Sequence, residues 1–167
     1  MAVNCIKQKL VVVHDSISEN KFFYGVLKID TMIEGARLTK EHEWIIIKEG
    51  LAVMGISDFA QRQLGDIVSI ELPKVGSIFR KMQAIAIIDS VKASSDIYCA
   101  LSGEVIEVNE ELLEHPEWIN QSPYDLGWIV KVKPSNIEEF NSFMTTEQYN
   151  EFIGEIEKEG EDVKGGR

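Results

Sequence analysis

The 167-residue sequence contains little cysteine and little histidine. Its two cysteines, Cys5 and Cys99, have no C-x-x-C spacing and cannot supply the disulfide framework of a small secreted domain, so we expect a reducing compartment. The three histidines, His14, His42 and His115, are scattered. None has the second histidine that a helical zinc motif requires, and the sequence therefore predicts no metal site.

Long apolar runs are also absent. Runs such as residues 22–24 and 45–47 are far shorter than the roughly 20 residues that cross a bilayer. The first 31 residues lack the apolar centre of a signal peptide and the arginine-rich, acid-poor composition of a mitochondrial presequence. We expect a protein without membrane association that is cytoplasmic, or in the mitochondrial matrix if its source is eukaryotic.

Positive charge is scarce, because 17 basic residues face 28 acidic ones and give a net charge of -11. Binding to nucleic acid is excluded, since a polyanion does not approach phosphates favourably. The acidity is concentrated in residues 100–167, which hold sixteen acidic and five basic side chains. A solvated acidic surface is the simplest interpretation of this segment, and docking onto basic partners is the alternative.

The length and the 44% hydrophobic content fit one domain with a real core. Strong patterning begins after Met32, so residues 1–36 are predicted to be an extension poorly tied to the core, or the product of a misplaced translation start. Residues 37–157 are predicted to form the folded domain with its C-terminal helices, and residues 158–167 a disordered tail.

Residues 37–133 are patterned mostly as strands. Glu49 and Gly50 predict a tight hairpin turn, and Ser57 is placed to cap a helix over 58–64 that ends at Gly65. A second short helix is predicted over 109–114. The predicted strands are 44–48, 51–56, 66–72, 84–88, 97–101, 103–108 and 128–132.

Beyond Pro134 the period becomes helical. Two capping-box spacings, Ser135 with Glu138 and Thr145 with Gln148, predict helices over about 136–143 and 146–157.

Catalytic motifs are lacking. There is no Gly-x-Ser-x-Gly nucleophile and no phosphate-binding glycine loop. Cys99 lies in an apolar run, which favours an inert, buried thiol. Glu43 and Asp96 are candidates for a carboxylate pair, although surface solvation is the ordinary role of each.

Lys92 lies in the polar segment 89–96, between two predicted strands. A lysine at a hairpin tip is ordinarily a solvated charge. The functional alternative is a covalent carrier, which needs its attachment amine at the end of a stiff, projecting hairpin that modifying and partner enzymes can reach. The apolar flanks 84–88 and 97–101 and the small residues around Lys92 meet that need.

Six blocks of sequence together resemble the H-protein family of the glycine cleavage system over residues 37–155. They are residues 39–44, 55–61, 64–68, 90–96, 102–105 and 122–128. The resemblance implies a mainly β fold with flanking helices (α+β), a barrel-sandwich hybrid like that of lipoyl and biotinyl domains, with C-terminal helices. It also implies lipoate in amide linkage to Lys92, as N6-lipoyllysine. Val91 and Ala93 beside the lysine fit neither biotin carriers nor the lipoyl domains of 2-oxo acid dehydrogenases.

The same resemblance implies a non-catalytic carrier. Such a protein shuttles the aminomethyl group of glycine from glycine decarboxylase to aminomethyltransferase, and dihydrolipoyl dehydrogenase then reoxidises its arm. Lipoate-attaching enzymes are further implied partners, and a monomer is expected. By resemblance, Glu43 and Asp96 hold the loaded arm, with their carboxylates paired to its ammonium.

The sequence departs from the family pattern at three places, and two alternative functions remain to be considered. Asp89 replaces a common glutamate, Phe59 replaces a histidine found in some members, and Cys99–Ala100 replaces alanine-proline. One alternative function is a lipoyl relay protein for 2-oxo acid dehydrogenases, and the other is an unmodified interaction module. Mass analysis of the peptide that contains Lys92 distinguishes an unmodified interaction module from a lipoyl carrier.

Overall fold

A computed structural model describes residues 34–164, and their side chains as far as residue 160. Most of the predicted N-terminal extension, the last residues of the predicted tail, and Cys5 and His14 lie outside this part. None of the helices in the described part is long and apolar enough to span a bilayer.

Short antiparallel strands form two sheets. The strands are β1 Arg37–Leu38, β2 Glu43–Lys48, β3 Leu51–Ile56, β4 Ile67–Glu71, β5 Ile78–Phe79, β6 Ala84–Ser90, β7 Ser94–Tyr98, β8 Gly103–Val108 and β9 Val130–Pro134. The larger sheet has the order β1-β2-β3-β9-β8-β5, and the smaller has the order β4-β6-β7. The mainly β architecture that the sequence predicted is confirmed.

The β2–β3 hairpin turns where the sequence predicted. Glu49 and Gly50 have φ angles of 51° and 79°, the positive values that a two-residue type I' turn requires. Lys48 pairs with Leu51 across the turn, and the register continues to Glu43 opposite Ile56. This hairpin places Glu43 at the end of its strand farthest from the turn.

The position of the second hairpin differs from the prediction. The strand predicted over 97–101 is wrong, because β7 runs over Ser94–Tyr98 and leaves residues 99–101 outside the ladder. The apolar run Cys99 to Leu101 reflects burial and not a strand, since all three residues have no exposed surface. The loop is consequently only residues 91–93, much shorter than the polar segment 89–96 suggested.

The helical segments of the described part are short, except the last. They are α1 Asp58–Leu64, a 3-10 turn Glu110–Leu113, α2 Trp118–Gln121, a 3-10 helix Ile137–Ser142 and α3 Thr146–Lys164. Strand β9 begins two residues later than predicted, and the sequence missed β1, β5 and α2, which are each four residues or shorter.

The predicted ends of α1 are confirmed. The hydroxyl of Ser57 accepts a hydrogen bond from the Ala60 N–H at 3.1 Å, which satisfies one of the free amides of the first turn. At the other end, the Gly65 N–H donates to the carbonyl of Gln61 at 3.0 Å. Gly65 has a φ of 76°, a backbone conformation that favours glycine.

The capping box of α3 is confirmed in both directions. The Gln148 N–H donates to Thr145 Oγ1 at 3.2 Å, and the Thr145 N–H donates to Gln148 Oε1 at 2.9 Å. The other predicted box does not form, because Asn136 rather than Ser135 caps the 3-10 helix that follows. Helix α3 continues to Lys164, beyond the predicted end at 157, through a run of glutamate and lysine with high helix propensity.

The two sheets share one hydrophobic core. It includes Ile45 and Met54 from the larger sheet and Ile70 and Ile88 from the smaller one. A second cluster packs α3 against β2 and β3 through fully buried Tyr149. The second cluster contains Leu38, Trp44, Ile46, Val53 and Tyr149.

Tyr149 also carries polar contacts into the second cluster. Its hydroxyl lies 2.7 Å from His42 Nδ1 and 2.8 Å from Ser57 Oγ. Burial lowers the pKa of His42, so the imidazole is neutral at pH 7. Helix α3 is thus tied to Ser57, the residue that caps α1.

Two glycines offer a matched test of this packing. A Cβ at Gly103 would lie 2.2 Å from the backbone carbonyl oxygen of Lys133, whereas nothing lies within 4 Å of a Cβ at Gly154. We expect Gly103→Ala to lower the free energy of unfolding by about 2 kcal/mol or more, because the β8–β9 ladder must separate. Gly154→Ala in α3 should instead raise it by roughly 0.5–1 kcal/mol. Urea unfolding measures both, and equal effects would contradict the described register.

Candidate functional site

Lys92 occupies the middle of a three-residue loop, Val91 to Ala93, between β6 and β7. Ser90 closes this loop by donating from its N–H to the Ala93 carbonyl at 2.9 Å. The Ser90 hydroxyl also accepts from the N–H groups of Lys92 and Ala93, at 3.2 Å each. One serine therefore fixes the backbone of the loop, in the manner of a serine turn.

Asp89 joins three strands directly below the loop. It pairs in register with Ser94 of β7 and with Ser69 of β4. The Ser69 hydroxyl donates to one carboxylate oxygen at 2.9 Å, and the Ser94 hydroxyl donates to the other. These two hydrogen bonds favour the ionised form and lower the pKa of Asp89. The hairpin that carries Lys92 is thus locked across the whole smaller sheet.

The side chain of Lys92 is exposed and lies over the C-terminal end of α1. Its Nζ donates to the carbonyl of Gln63 at 3.4 Å, a weak contact that solvent can replace. Gly65 makes room for it, since a Cβ there would lie 3.3 Å from Lys92 Cε. Within the part of the chain that has described side chains, Lys92 forms no ion pair. The amine is accessible while its backbone is held in place.

Glu43 is buried, with 1% of its surface exposed, so the surface solvation expected of an ordinary glutamate does not apply. The Tyr98 N–H donates to Oε1 at 3.0 Å, and the Thr39 hydroxyl donates to Oε2. Because Glu43 lies on β2 and Tyr98 on β7, this carboxyl group links the two sheets. Burial raises the pKa of Glu43 despite the hydrogen bonds it accepts.

Asp96 remains on the surface of β7, opposite Ile87. It lies two residues before Tyr98, so it is about 7 Å along the strand from the amide that binds Glu43. No hydrogen bond or ion pair within residues 34–160 joins Asp96 to Glu43 or to Lys92. Both carboxylates are therefore associated with β7, one buried at its end and one exposed nearer the loop.

Cys99 is buried, as the sequence predicted. It has no exposed surface, and its thiol donates to the Leu101 carbonyl at 2.9 Å. Burial raises the pKa of the thiol to about 12, so the nucleophilic thiolate is not populated near neutral pH. Thiol exchange at this position is accordingly not part of the site.

Sequence reasoning missed the three serines and the end of α1 as components of the site. Ser90 and Ser94 were described as small residues around Lys92, Ser69 as part of the strand predicted over 66–72, and Gly65 as the end of a helix, with no contact assigned to any of them. Ser90 has a detectable local signal, because a serine two residues before the loop centre can accept from the amides that follow it. The contact of Ser69 with Asp89 depends on strand pairing and has no such signal.

A family model, sequence relatives and a solved structure all show similarity to H-proteins of the glycine cleavage system. The family model described as glycine cleavage H-protein matches residues 36–156. The glycine cleavage system H protein of Halothermothrix orenii is 46% identical over 124 residues, which cover 74% of this chain and 97% of the relative. The probable glycine cleavage system H protein of Aeropyrum pernix is 49% identical over 117 residues, or 70% of this chain and 82% of the relative.

A solved structure is also similar. The crystal structure of a glycine cleavage system H protein from Mycobacterium marinum aligns with a TM-score of 0.68 at 29% sequence identity. The alignment covers 74% of this chain and 99% of that one. The barrel-sandwich architecture expected from the sequence is thereby supported.

The role of Asp89 can be tested against Asp96, since both are aspartates on the strands of one hairpin. We expect Asp89→Ala to speed hydrogen exchange at the Ser90 and Val91 amides, because the loop loses its anchorage to β4 and β7. Asp96→Ala removes the same charge without these hydrogen bonds and should leave the rates unchanged. NMR-detected exchange at fixed pH measures the difference, and equal rates in both variants would show that the hydrogen bonds of Asp89 do not hold the loop in place.

The lowered pKa of Asp89 predicts the direction of its pH dependence. A carboxyl group with a lower pKa in the folded state stabilises the fold above its usual pKa, and this contribution disappears as the pH falls through the lowered value. We expect the loop signals of wild type to change in acid below that ordinary range, and those of Asp89→Asn to lack this transition. NMR chemical shifts during an acid titration measure it, and a transition that persists in the variant would assign it to another group.

Proposed function

The chain belongs to the glycine cleavage H-protein family, whose members are non-catalytic lipoyl carriers, and we propose that Lys92 is its lipoyl attachment residue. The observation that carries this proposal is the exposed Lys92 amine on an ordered loop. Ser90 and Asp89 fix the loop backbone, so an attaching enzyme meets the Lys92 side chain at one fixed point of attachment. The described side chains fit the group, because Gly65 leaves space beside Lys92 and none of their carboxylates forms an ion pair with its amine.

Attachment requires Lys92 to become a neutral nucleophile. In water the ammonium must lose a proton before its nitrogen attacks an activated lipoyl carboxyl group, with departure of the activating group as the amide forms. The weak bond to Gln63 at 3.4 Å presents little obstacle to this step. The product amide keeps one N–H and loses the positive charge.

If bound to Lys92, lipoate would supply a disulfide as the chemical group that carries aminomethyl between glycine decarboxylase and aminomethyltransferase, and dihydrolipoyl dehydrogenase would restore that disulfide. The contribution of this chain is to hold the attachment point still while leaving the arm free. We propose these three enzymes and the lipoate-attaching enzymes as its partners, and a monomer as its working form.

Glu43 and Asp96 are proposed to hold the ammonium of the loaded arm. Asp96 is exposed and accessible, whereas Glu43 is reached only if the ammonium replaces the Thr39 hydroxyl at Oε2. That exchange substitutes a charged donor for a neutral one and favours the ionised carboxylate. The Tyr98 amide can remain on Oε1 throughout, so the link between the two sheets is kept.

Lys92→Arg tests the attachment residue. Arginine keeps the positive charge and exposure, but its guanidinium is not deprotonated and does not form the amide. We expect complete loss of glycine cleavage in a reconstituted system, with an unchanged melting temperature. Lys48→Arg, at an exposed lysine beside the β2–β3 turn, is the matched control and should retain activity. Glycine turnover by Lys92→Arg would remove this residue from the mechanism.

Glu43→Gln tests the charge of the buried carboxylate while keeping a side chain of the same shape. We expect the loaded arm to lose its aminomethyl group about tenfold faster, since a charge-assisted hydrogen bond contributes roughly 1.5–3 kcal/mol. Glu41→Gln removes a neighbouring exposed charge and should not change the lifetime. The measurement is the decay of loaded protein followed by mass spectrometry, and equal lifetimes in wild type and Glu43→Gln would exclude the ammonium pairing.

A further inference from the structure

A groove of about 720 Å³ lies beside β8 and is floored by exposed apolar side chains. Val75, Ile106 and Leu126 line it and are 60%, 39% and 45% exposed, and Trp118 and Trp128 contribute aromatic surface. Apolar side chains concentrated in one concave region indicate a binding surface more strongly than isolated ones do. Trp118 and Trp128 also pack against the two core clusters, but Val75, Ile106 and Leu126 belong neither to those clusters nor to the attachment site.

The edge of the groove is acidic. Glu107, Glu110, Glu111 and Asp125 line it, and none of the described residues in the lining is basic. At one end the chain already binds a cation of its own. Lys131 Nζ lies 2.7 Å from a Glu107 oxygen and 4.7 Å from the centre of the Trp128 ring. An ammonium is therefore accommodated between a carboxylate and an indole, through charge and cation–π attraction.

The groove is connected to the attachment site through α2. Trp118, which lines the groove, begins this short helix, and Asn120 follows two residues later. Asn120 Nδ2 donates to the Gly65 carbonyl at 2.9 Å, and Gly65 lies beneath the Lys92 side chain. Helix α2 therefore contributes one residue to the groove and another to the support of Gly65, beside the Lys92 side chain.

We propose that this groove docks a segment of a glycine cleavage enzyme in which apolar side chains are flanked by lysine or arginine. The inference rests on the proposed carrier function and adds a binding surface to it. The acidic edge disfavours phosphates of nucleic acids and anionic lipid surfaces. It equally disfavours a second copy of this chain, which carries a net charge of -11. A basic segment gains both long-range attraction and burial of the apolar floor.

The test compares two variants with the same change in charge. Glu110→Lys/Glu111→Lys reverses the groove edge, and Glu151→Lys/Glu155→Lys reverses two exposed residues of α3. Calorimetry measures the Kd of each with glycine decarboxylase, aminomethyltransferase and dihydrolipoyl dehydrogenase. We expect the groove variant to weaken at least one enzyme about tenfold or more, with the loss reduced by added salt, and the α3 variant to bind that enzyme like wild type.

A third variant tests the apolar floor without altering charge. Leu126→Ser replaces an exposed side chain in a loop and should weaken the same enzyme with little dependence on salt. Unchanged binding of all three enzymes to both groove variants, or equal losses in the α3 variant, would overturn the groove as a docking site. Each titration uses lipoylated and unmodified chain, with the state of Lys92 read by intact mass. Failure of attachment is thereby distinguished from failure of the groove.

Discussion

The proposed attachment of lipoate to Lys92 requires a residue that is fixed at its backbone and accessible at its amine, and the rest of this structure supports that arrangement. A flexible loop would spread the amine over many positions and add an entropic cost to every encounter with an enzyme. Here the loop is three residues long, and its amides are bound by Ser90. Asp89 then binds serines on both neighbouring strands. The order extends to the backbone of Lys92 and stops at its side chain.

The fixed loop is useful only because the smaller sheet is held against the larger one. Their shared apolar core supplies most of the attraction, and Glu43 adds a buried polar link to the Tyr98 amide. On the other side of β2, Tyr149 ties α3 to Ser57, and Ser57 caps α1, which ends at Gly65 beneath Lys92. The shape of the candidate site is thus produced by several elements distant from one another in sequence.

Signals within a few residues were sufficient for much of the fold. The positive φ angles at Glu49 and Gly50, the Ser57 cap and the box between Thr145 and Gln148 follow from local chemistry that does not depend on tertiary context. The position of β7 did not follow, because burial makes residues 99–101 as apolar as a strand while they leave the ladder.

The candidate site, like the fold, could be predicted from local sequence only in part. The exposed position of Lys92 between two strands was predictable from its polar neighbours and apolar flanks, while its role as attachment residue stays a prediction. The burial of Glu43 and the contact between Ser69 and Asp89 were not, since both arise from packing between strands far apart in the chain. The groove beside β8 likewise combines residues from several loops. Its acidity was visible in the composition of residues 100–167, but its apolar floor was not.

The most direct measurement is peptide mass mapping of the chain isolated from its native cells, where the enzymes that attach lipoate are present. The account predicts one lipoyl group on the peptide that contains Lys92, with the exposed lysines at 48 and 74 unmodified. A lipoyl group on another lysine, or none on the Lys92 peptide while other proteins of the same cells are lipoylated, would contradict it.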